Sequence, residues 1–246
     1  MKSSNPLSEL RSIYWQWRAD MLKRLRLLRF RLSHRGVARL CNICGWRGSE
    51  FYSSEGLPNA VCPVCYSQPR HRLLKVVLDE LDFPKRGARI LHVSPKGEDG
   101  LVKIFRRLAG WYLSIDKGGS WNPHPIAMNQ MDLTDLDLPD NSVDFVQCSH
   151  VLENIIDDHR AISEIYRVLA PGGIAALQVQ IYGPITTRVE EPNAEDYFHV
   201  WHPGMDYFQR YEEAGFDVRI FDRTIADTEL LAIHGKLLMP ICTKPG

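Results

Sequence analysis

Beyond Lys85 the sequence alternates between short apolar runs and amphipathic stretches, and this alternation restricts the fold more than any other feature. Short apolar runs bounded by turn residues are typical of buried strands, whereas apolar residues spaced three and four apart are typical of helices. Their alternation predicts an α/β fold, a doubly wound, mostly parallel sheet of seven strands. The predicted strands are residues 89–93, 111–115, 127–132, 143–148, 174–181, 218–221 and 237–243, and the predicted helices are residues 99–109, 157–169 and 203–214.

Polar residues follow several of these strands at the points where each strand ends. The turn 92–97 follows the first strand, Asp116 follows the second, and Asp132 closes the third. In an open parallel sheet, ligands bind beyond the carboxyl ends of the strands, where the chain order reverses. A carboxylate about 20 residues after the first turn can accept both hydroxyls of a ribose. The spacing therefore predicts a nucleoside cofactor site at this edge.

The first of these turns, in the segment RILHVSPKGEDG, contains fewer glycines than nucleotide-binding domains usually place there. Glycine lets the backbone close tightly against a bound cofactor. Two interpretations therefore stay open. The turn is either a cofactor loop built from Ser94 and Gly97, or a strand-to-helix connection that has lost its ligand.

The segment DLPDNSVDFVQCSHVLENIIDDHRAISEIYRVLAPGGIAALQVQI resembles the class I S-adenosylmethionine-dependent methyltransferases of the methyltransferase type 11-like group. It repeats that family's order of a D-x-V strand, a loop, a helix ending in R-x-L-x-P-G-G, and a strand. The resemblance extends from about Ala88 to the last residue. CNICGW, CPVC, RHRLL and EAGF further resemble a subgroup with an N-terminal paired-cysteine, zinc-ribbon-like module. A Rossmann-like methyltransferase fold and S-adenosylmethionine as cofactor are what the resemblance implies.

Carried over by position, the resemblance puts Asp116 at the ribose hydroxyls and Asp132 with the Leu133 backbone at the adenine. It puts the turn 92–97 against the methionine part of the cofactor. The family's G-x-G-x-G is absent, but a sulfonium cofactor has no phosphate to be cradled, so close backbone approach and a few polar groups would suffice. The implied cofactor-binding residues are His92, Ser94, Gly97, Asp116, Asp132, Leu133 and Ser149.

The long polar and aromatic stretch 182–208 is the expected lid over a methyl acceptor. We expect His199 to be the catalytic base, because the related subgroup often has a histidine there, and His150 is the second candidate. A packing role for either histidine stays open. A polar lid favours a polar small-molecule or glycan-type acceptor. The lid also contains Glu190, Glu191, Asp196 and His202, which are further candidates for acceptor binding or a second metal site.

Four cysteines form two C-x2-C pairs separated by 17 residues. This spacing allows two tight turns to bring four thiolates around one tetrahedral zinc ion. A zinc ribbon of this kind usually stabilises a small fold or a contact surface, so the predicted zinc is structural. The predicted ligands are Cys41, Cys44, Cys62 and Cys65.

The first 40 residues form a basic arm, with ten Lys or Arg against two acids, whereas the whole chain has no net charge. Apolar residues at helical spacing predict one amphipathic helix. Its apolar stripe either docks on the acidic body, or it contacts an anionic membrane surface, a partner protein or a nucleic acid. The acidic body disfavours a large nucleic-acid footprint. The stripe consists of Trp17, Met21, Leu25, Leu28 and Leu32.

A helix predicted over residues 68–83 links the cysteine pairs to the strands, and it begins with Arg70, His71 and Arg72. Cations at a helix N-terminus are electrostatically unfavourable and need a partner. An anionic group of the cofactor or substrate and a carboxylate of the body are both compatible with them.

The predicted organisation is a basic helical arm over residues 1–40, a zinc-ribbon-like module over residues 41–67 and a methyltransferase domain over residues 68–246. No apolar run is long enough to span a bilayer, and the start lacks a signal-peptide pattern, so we expect a cytoplasmic protein. Peripheral membrane contact stays open. The alternatives are an RNA or protein methyltransferase that holds its substrate with the arm and module, and a non-catalytic methyltransferase-like binding module.

Overall fold

The computed structural model describes residues 18, 21–22, 24–54, 57–95, 97–118, 129–233 and 237–246, without the side chains of residues 54 and 57. Trp17, at the start of the predicted apolar stripe, lies outside these residues. The first part of the predicted strand 127–132 lies outside them as well. Among the described helices, none combines the length and the apolar character needed to cross a bilayer.

The helices and strands follow one another along the chain in the order that the sequence predicts. Residues 24–33 form helix α1. The further helices are α2 (Pro69–Glu80), α3 (Asp99–Leu108), α4 (Asp158–Val168) and α5 (Gln209–Glu213), and the strands are β1 (Arg39–Leu40), β2 (Arg47–Gly48), β3 (Tyr52–Ser54), β4 (Leu57–Val61), β5 (Arg89–Val93), β6 (Trp111–Asp116), β7 (Asn129–Gln130), β8 (Val143–Ser149), β9 (Leu169–Gln178), β10 (Thr187–Arg188), β11 (Trp201–His202), β12 (Asp217–Asp222) and β13 (Leu238–Thr243).

A seven-stranded sheet forms the centre, in the order β12-β13-β9-β8-β5-β6-β7. Strands β5 to β9 pair in parallel, while β13 runs antiparallel to β9 and to β12. The chain order reverses at β5, which pairs with β6 on one side and with β8 on the other. This topology confirms the predicted doubly wound, mostly parallel sheet of seven strands. It also puts the expected ligand edge at the carboxyl ends of β5 and its neighbours.

Each face of the sheet has its own apolar core. Leu91 and Val93 of β5 lie in the core that contains residues of α4 and α5. Ile90, on the opposite face, lies in the core that contains residues of α2, α3 and the cysteine segment. The alternation along β5 explains this division, because successive strand side chains point to opposite faces. The cysteine segment therefore shares a core with the sheet.

Several predicted boundaries differ from the structure, and the strand predicted to end at residue 132 ends at Gln130. Strand β9 begins at Leu169, before the Pro171-Gly172-Gly173 sequence that was expected to precede it. The backbone of Gly172 donates to the carbonyl of Lys244 at 2.8 Å, so these residues pair with the chain that follows β13. The predicted helix 203–214 divides into a 3-10 turn, Met205–Phe208, and the short α5.

Arg72 of α2 joins the cysteine segment to a distant part of the chain. Its guanidinium is fully buried and donates to the carbonyl oxygens of Ala60 at 2.8 Å and Ser67 at 2.7 Å. It also donates to those of Leu231 at 2.6 Å and Ala232 at 3.1 Å. Burial lowers the pKa of Arg72 to about 10, which still leaves the side chain charged at neutral pH. These four bonds satisfy the buried charge.

Candidate functional site

The ends of β5 and β6 are joined by a hydrogen bond between two predicted site residues. Ser94 follows β5 directly, and its hydroxyl donates to Asp116 Oδ2 at 2.7 Å. Asp116 Oδ1 accepts from the backbone of Gly118 at 3.0 Å. The parallel pairing of β5 with β6 brings the two residues together although they are 22 positions apart. Asp116 is thereby held at the edge of the sheet.

Asp132 lies just beyond β7, next to the end of β6. Its Oδ1 accepts from the backbone and the hydroxyl of Thr134, at 3.0 and 2.9 Å. Its Oδ2 lies 2.7 Å from Nζ of Lys117. The Lys117 ammonium, followed by the Thr134 backbone, lowers the pKa of Asp132 from its ordinary value. The carboxylate is therefore ionised at neutral pH and points its lone pairs at fixed donors.

A cavity of about 410 Å³ opens between these strand ends and the loop after β8. Four predicted cofactor-binding residues line it, namely Ser94, Asp116, Asp132 and Leu133. The opposite wall contains Val151, Asn154, Ile155 and Ile156. A mostly apolar cleft with a few converging polar groups is the usual form of a small-molecule site.

Ile156 is a residue that sequence reasoning missed. It lies in the loop before α4 with 66% of its surface exposed, and it lines the cavity. No periodicity identifies such a residue, since it belongs to neither a strand nor a helix. The available signal is the pair Ile155-Ile156 directly before the acidic pair Asp157-Asp158.

His92, Gly97 and Ser149 do not line the cavity. The Ser149 hydroxyl donates to Gln178 Oε1 at 3.1 Å, between the ends of β8 and β9. Gly97 has a backbone φ of 73°, a conformation that glycine adopts easily. Ser94, at the other end of the same turn, has φ 45° and relies on its hydrogen bond to Asp116 instead.

His92, at the start of the turn 92–97, contacts the buried carboxylate of Glu98, which follows that turn. Its Nε2 lies 2.7 Å from Glu98 Oε2, and its Nδ1 lies 3.0 Å from the hydroxyl of Tyr112. Glu98 Oε1 in turn lies 3.6 Å from Nε2 of His71, at the start of α2. All of this lies in the interior, since His71, His92 and Glu98 are 5% exposed or less. The residue before the turn and the residue after it are therefore clamped to each other.

The structure also shows which groups contact Arg70, His71 and Arg72 at the start of α2. Of the two partners left open by the sequence, the structure provides the carboxylate of the body, Glu98, for His71. Burial lowers the pKa of His71 to about 3, so the ring is neutral at physiological pH. The Arg72 charge is satisfied by carbonyl oxygens. Arg70 pairs with the Gln68 side chain.

A histidine and a buried glutamate follow β8, beside the cavity. His150 Nδ1 lies 3.0 Å from Glu153 Oε1, and Glu153 has no exposed surface. The second oxygen of Glu153, Oε2, is buried without a hydrogen-bond partner among the described residues. About a quarter of the His150 side chain, 27%, is exposed. A carboxylate on one ring nitrogen leaves the other for a substrate.

The lid is a small hairpin formed by β10 and β11, and it packs on the loop after β8. The backbone of Val200 donates to the carbonyl of Glu153 at 2.9 Å. The indole of Trp201 donates to the carbonyl of Ile155, also at 2.9 Å. The lid therefore contacts the same loop that carries His150 and the apolar wall of the cavity.

His199 lies inside the lid, with 4% of its surface exposed. Its Nδ1 is 2.9 Å from the hydroxyl of Tyr182 and 3.5 Å from Asp196 Oδ1. His202 stacks on the Tyr182 ring at a centroid distance of 4.2 Å, and its Nε2 is 2.5 Å from Asp196 Oδ2. These four side chains form one polar, aromatic cluster. Glu190 and Glu191 are exposed.

The four predicted zinc ligands lie close together in the cysteine module. All four Sγ atoms lie within 4.8 Å of one another, and the Cys41–Cys65 and Cys44–Cys62 pairs are 3.6 Å apart. Tetrahedral zinc with Zn–S bonds of about 2.3 Å needs sulfur atoms roughly 3.8 Å apart. The thiols fit a zinc ion, and among the described residues no other cluster of potential metal ligands was found.

The two cysteine turns have the same backbone geometry. Gly45 donates to the carbonyl of Cys41 at 2.8 Å, and Tyr66 donates to that of Cys62 at 3.0 Å. Gly45 and Tyr66 both have positive φ, 77° and 59°. The module also meets the start of α3, because a Cβ on Gly100 would lie 2.4 Å from Ile43. Only glycine lets the start of α3 approach the cysteines this closely.

Comparisons with known proteins give matches to the central part of the chain. The family model described as a methyltransferase domain matches residues 114–177, which run from β6 to β9. A C-methyltransferase of ubiquinone and menaquinone biosynthesis from Saccharophagus degradans is 32% identical over 105 residues, 42% of this chain. The matched region spans 40% of the length of that relative.

Two solved structures resemble the fold. The [4+2]-cyclase SpnF superposes with a TM-score of 0.55 at 16% identity, covering 92% of this chain and 94% of its own. A chain of the Haloferax volcanii complex between a methyltransferase activator and a protein described as a methyltransferase gives 0.50 at 16% identity. That match covers 72% of this chain and 90% of the other. At these identities the likeness shows the fold alone.

Proposed function

We propose that this chain is an S-adenosylmethionine-dependent methyltransferase whose cofactor occupies the cavity at the ends of β5, β6 and β7. The observation that carries the proposal is the position of Asp116 and Asp132. Both carboxylates line one cavity at the edge where the strand order reverses, and both lie within the segment 114–177 that matches a methyltransferase domain. The fold alone would not carry it, because one fold supports many chemistries.

The donors and acceptors at the cavity suit this cofactor. The Asp116 carboxylate lines the cavity and is held in place by the Ser94 hydroxyl and the Gly118 backbone, and a carboxylate so held can accept hydrogen bonds from ribose hydroxyls. Asp132 and the Leu133 backbone lie where the adenine is expected. Ile155 and Ile156 offer apolar surface to the plane of the base. The turn 92–97 is left for the methionine part.

The chain's own residues have two tasks in methyl transfer. S-adenosylmethionine, when bound, supplies a methyl group on a positively charged sulfur, so the protein mainly aligns the acceptor and excludes water. A hydroxyl acceptor also has to lose a proton, whereas an amine does not always need a base. The base must therefore lie at the same edge of the sheet as the cavity.

His150 is the side chain that best fits the role of this base. Glu153 holds its Nδ1, the ring is partly exposed, and the next residue along the chain, Val151, lines the cavity. His199, the first choice from the sequence, has its Nδ1 against Tyr182 and is almost completely buried. We assign proton transfer to His150 and the positioning of the lid to His199.

The polar groups of the lid support the proposed acceptor class. Tyr182, Asp196 and His202 provide a hydroxyl, a carboxylate and an imidazole group at its surface, with His199 packed behind Tyr182. Such a surface suits a polar small molecule or a glycan-type acceptor, with an oxygen or nitrogen as the methylated atom. An RNA or protein acceptor held by the arm and the cysteine module is the alternative, and strongly salt-dependent binding to nucleic acid would favour it.

Titration calorimetry with S-adenosylmethionine and S-adenosylhomocysteine tests the proposal. We expect micromolar binding by the zinc-loaded protein and its loss in Asp116→Ala. Absence of binding to folded protein would favour the remaining alternative, a methyltransferase-like binding module. The cofactors that we propose are S-adenosylmethionine and one structural zinc ion. We also propose a cytoplasmic location, because the paired thiols suit a reducing compartment.

A further inference from the structure

Helix α1 packs on the cysteine module through one narrow face. Leu27 is 4% exposed, and the ring of Phe30 meets Tyr52 of β3 edge-on at 5.5 Å. Phe30 also stacks on His34 at 3.9 Å. Leu27 and Phe30 are not part of the stripe that the sequence predicts. The docking of the arm on the body therefore uses other residues.

The predicted stripe lies on the opposite, outward face of α1. Leu25, Leu28 and Leu32 are 49%, 47% and 55% exposed, and Met21, upstream of them, is 38% exposed. At 3.6 residues per turn these four positions fall on one line along the helix. A helix on a water-facing surface normally presents polar residues there. This leucine ridge therefore lacks a partner among the described residues.

Arginines flank the leucine ridge on both sides. Arg24 and Arg31 lie on one side of it on a helical projection, and Arg29 lies on the other. All three are exposed, and among the described residues no carboxylate pairs with them. The acidic body consequently does not neutralise the charge of this helix.

An apolar ridge bordered by cations is the arrangement of helices that lie flat in the interface of a membrane. The leucines would enter the acyl boundary, while arginines reach outward to phosphate groups. A nucleic acid would satisfy the arginines but leave the leucines in water. A protein partner would need both an apolar groove and an acidic rim. An anionic lipid surface would contact both the leucines and the arginines.

We propose that the outward face of α1 docks the protein on an anionic lipid surface. The bound helix lies parallel to the membrane, with Leu25, Leu28 and Leu32 in the interface and the cysteine module directly above the headgroups. This surface is separate from the cofactor cavity, so the proposal does not depend on the proposed function.

Vesicle sedimentation with the zinc-loaded full chain tests this. We expect binding to vesicles of phosphatidylcholine with phosphatidylglycerol, weaker binding at high salt, and little binding to phosphatidylcholine alone. The triple variant Leu25→Asn/Leu28→Asn/Leu32→Asn should lose at least about tenfold in affinity, since it removes the inserted apolar surface. Arg24→Gln/Arg31→Gln should bind more weakly and depend less on salt.

The matched control changes exposed apolar residues elsewhere. Ile220→Asn/Ile225→Asn, at 43% and 40% exposed, should bind vesicles like the unaltered chain. Both sets of variants should keep the thermal midpoint of the unaltered protein, because the leucine ridge does not contact the body. Failure of the unaltered chain to bind anionic vesicles would overturn the proposal, as would undiminished binding by the leucine variant. A dimer that the leucine variant disrupts, without any vesicle binding, would assign the ridge to a second copy instead.

Discussion

The Ser94 hydroxyl donates to Asp116 across 2.7 Å, and this bond joins the first turn to the end of the next strand. A glycine-rich turn would follow the cofactor with its backbone. Here a side chain from the turn holds the carboxylate that we assign to the ribose. The turn that lacks the usual glycines is therefore part of a polar site.

Replacing Asp116 tests that assignment directly. Asp116→Ala removes the acceptor of two ribose hydroxyls, and a hydrogen bond to a charged group contributes about 1.5–3 kcal/mol, so we expect S-adenosylmethionine to bind about 10- to 100-fold more weakly. Titration calorimetry measures the change. Asp217→Ala, on the exposed edge strand β12, is the matched control and should bind normally. Equal affinities for the two variants would remove Asp116 from the site.

Glu98 should support both stability and the cofactor turn. Glu98→Ala leaves Nε2 of His92 buried without its hydrogen-bond partner, which costs about 1–3 kcal/mol of unfolding free energy. Urea denaturation measures this loss, and calorimetry should show weaker cofactor binding at a temperature where the variant stays folded. The exposed Glu80→Ala is the control. A destabilised Glu98 variant with unchanged cofactor affinity would limit the clamp to a structural role.

His71 makes stability depend on pH in a defined window. Burial lowers its pKa in the folded chain to about 3 from 6.5, so below pH 6.5 the unfolded chain takes up a proton that the folded chain does not. Stability should therefore fall as the pH drops from 6.5 towards 3, by about 1.4 kcal/mol per unit, and be independent of His71 above 6.5.

Comparing how stability changes with pH in the unaltered protein and in two variants separates the contribution of His71 from that of other groups. Between pH 6.5 and about 5, the unaltered protein should lose about 2 kcal/mol more than His71→Gln in urea titrations. The exposed His159→Gln should follow the unaltered protein. Parallel curves for all three proteins would show that the His71 ring is protonated in the folded state.

Zinc content provides a test of the cysteine module. Protein purified without added metal should contain about one zinc per chain, and Cys62→Ser should abolish this and lower the thermal midpoint, because the module shares its core with the sheet. Cys242→Ala is the matched control. Burial raises the pKa of Cys242 well above its ordinary value, so that thiol stays protonated and the variant should keep its zinc. Unaltered protein with no metal and four reactive thiols would contradict the zinc site.

The proton-transfer role of His150 predicts a separation of binding from turnover. His150→Gln should lower kcat for a hydroxyl acceptor by about 10²- to 10⁴-fold and leave the affinity for S-adenosylmethionine unchanged. Glu153→Gln should shift the pH profile of kcat, since it removes the charge beside the ring. His199→Ala should mainly raise KM through the lid. A larger loss of kcat in the His199 variant would reverse the two assignments.

The parts that were predictable from the sequence are those that rest on local patterns. The strand ends at Asp116 and Asp132 and the pairs of cysteines follow from spacing alone, and the structure brings each group together. The wall containing Ile155 and Ile156 was not predictable, because loop residues have no period. The contacts of His92 were also missed, since burial in the interior depends on Glu98 and Tyr112 from other elements.

In the arm, too, the helix was predictable from the sequence, whereas the face that docks on the body was not. The spacing of Leu25, Leu28 and Leu32 predicts a helix, and the described residues 24–33 are helical. Spacing does not reveal which apolar residues face the body, because Leu27 and Phe30 form a second, smaller apolar face. Which of the two faces docks on the body is decided by contacts with Tyr52 and His34, from later in the chain.

The carbonyl partners of Arg72 also come from widely separated parts of the chain. Ala60 and Ser67 precede Arg72 by 12 and 5 residues, whereas Leu231 and Ala232 follow it by 159 and 160 residues. During synthesis, half of the acceptors of this guanidinium are therefore translated long after α2. Because a buried charge needs all of its partners, α2 can reach its final burial only when nearly the whole chain exists.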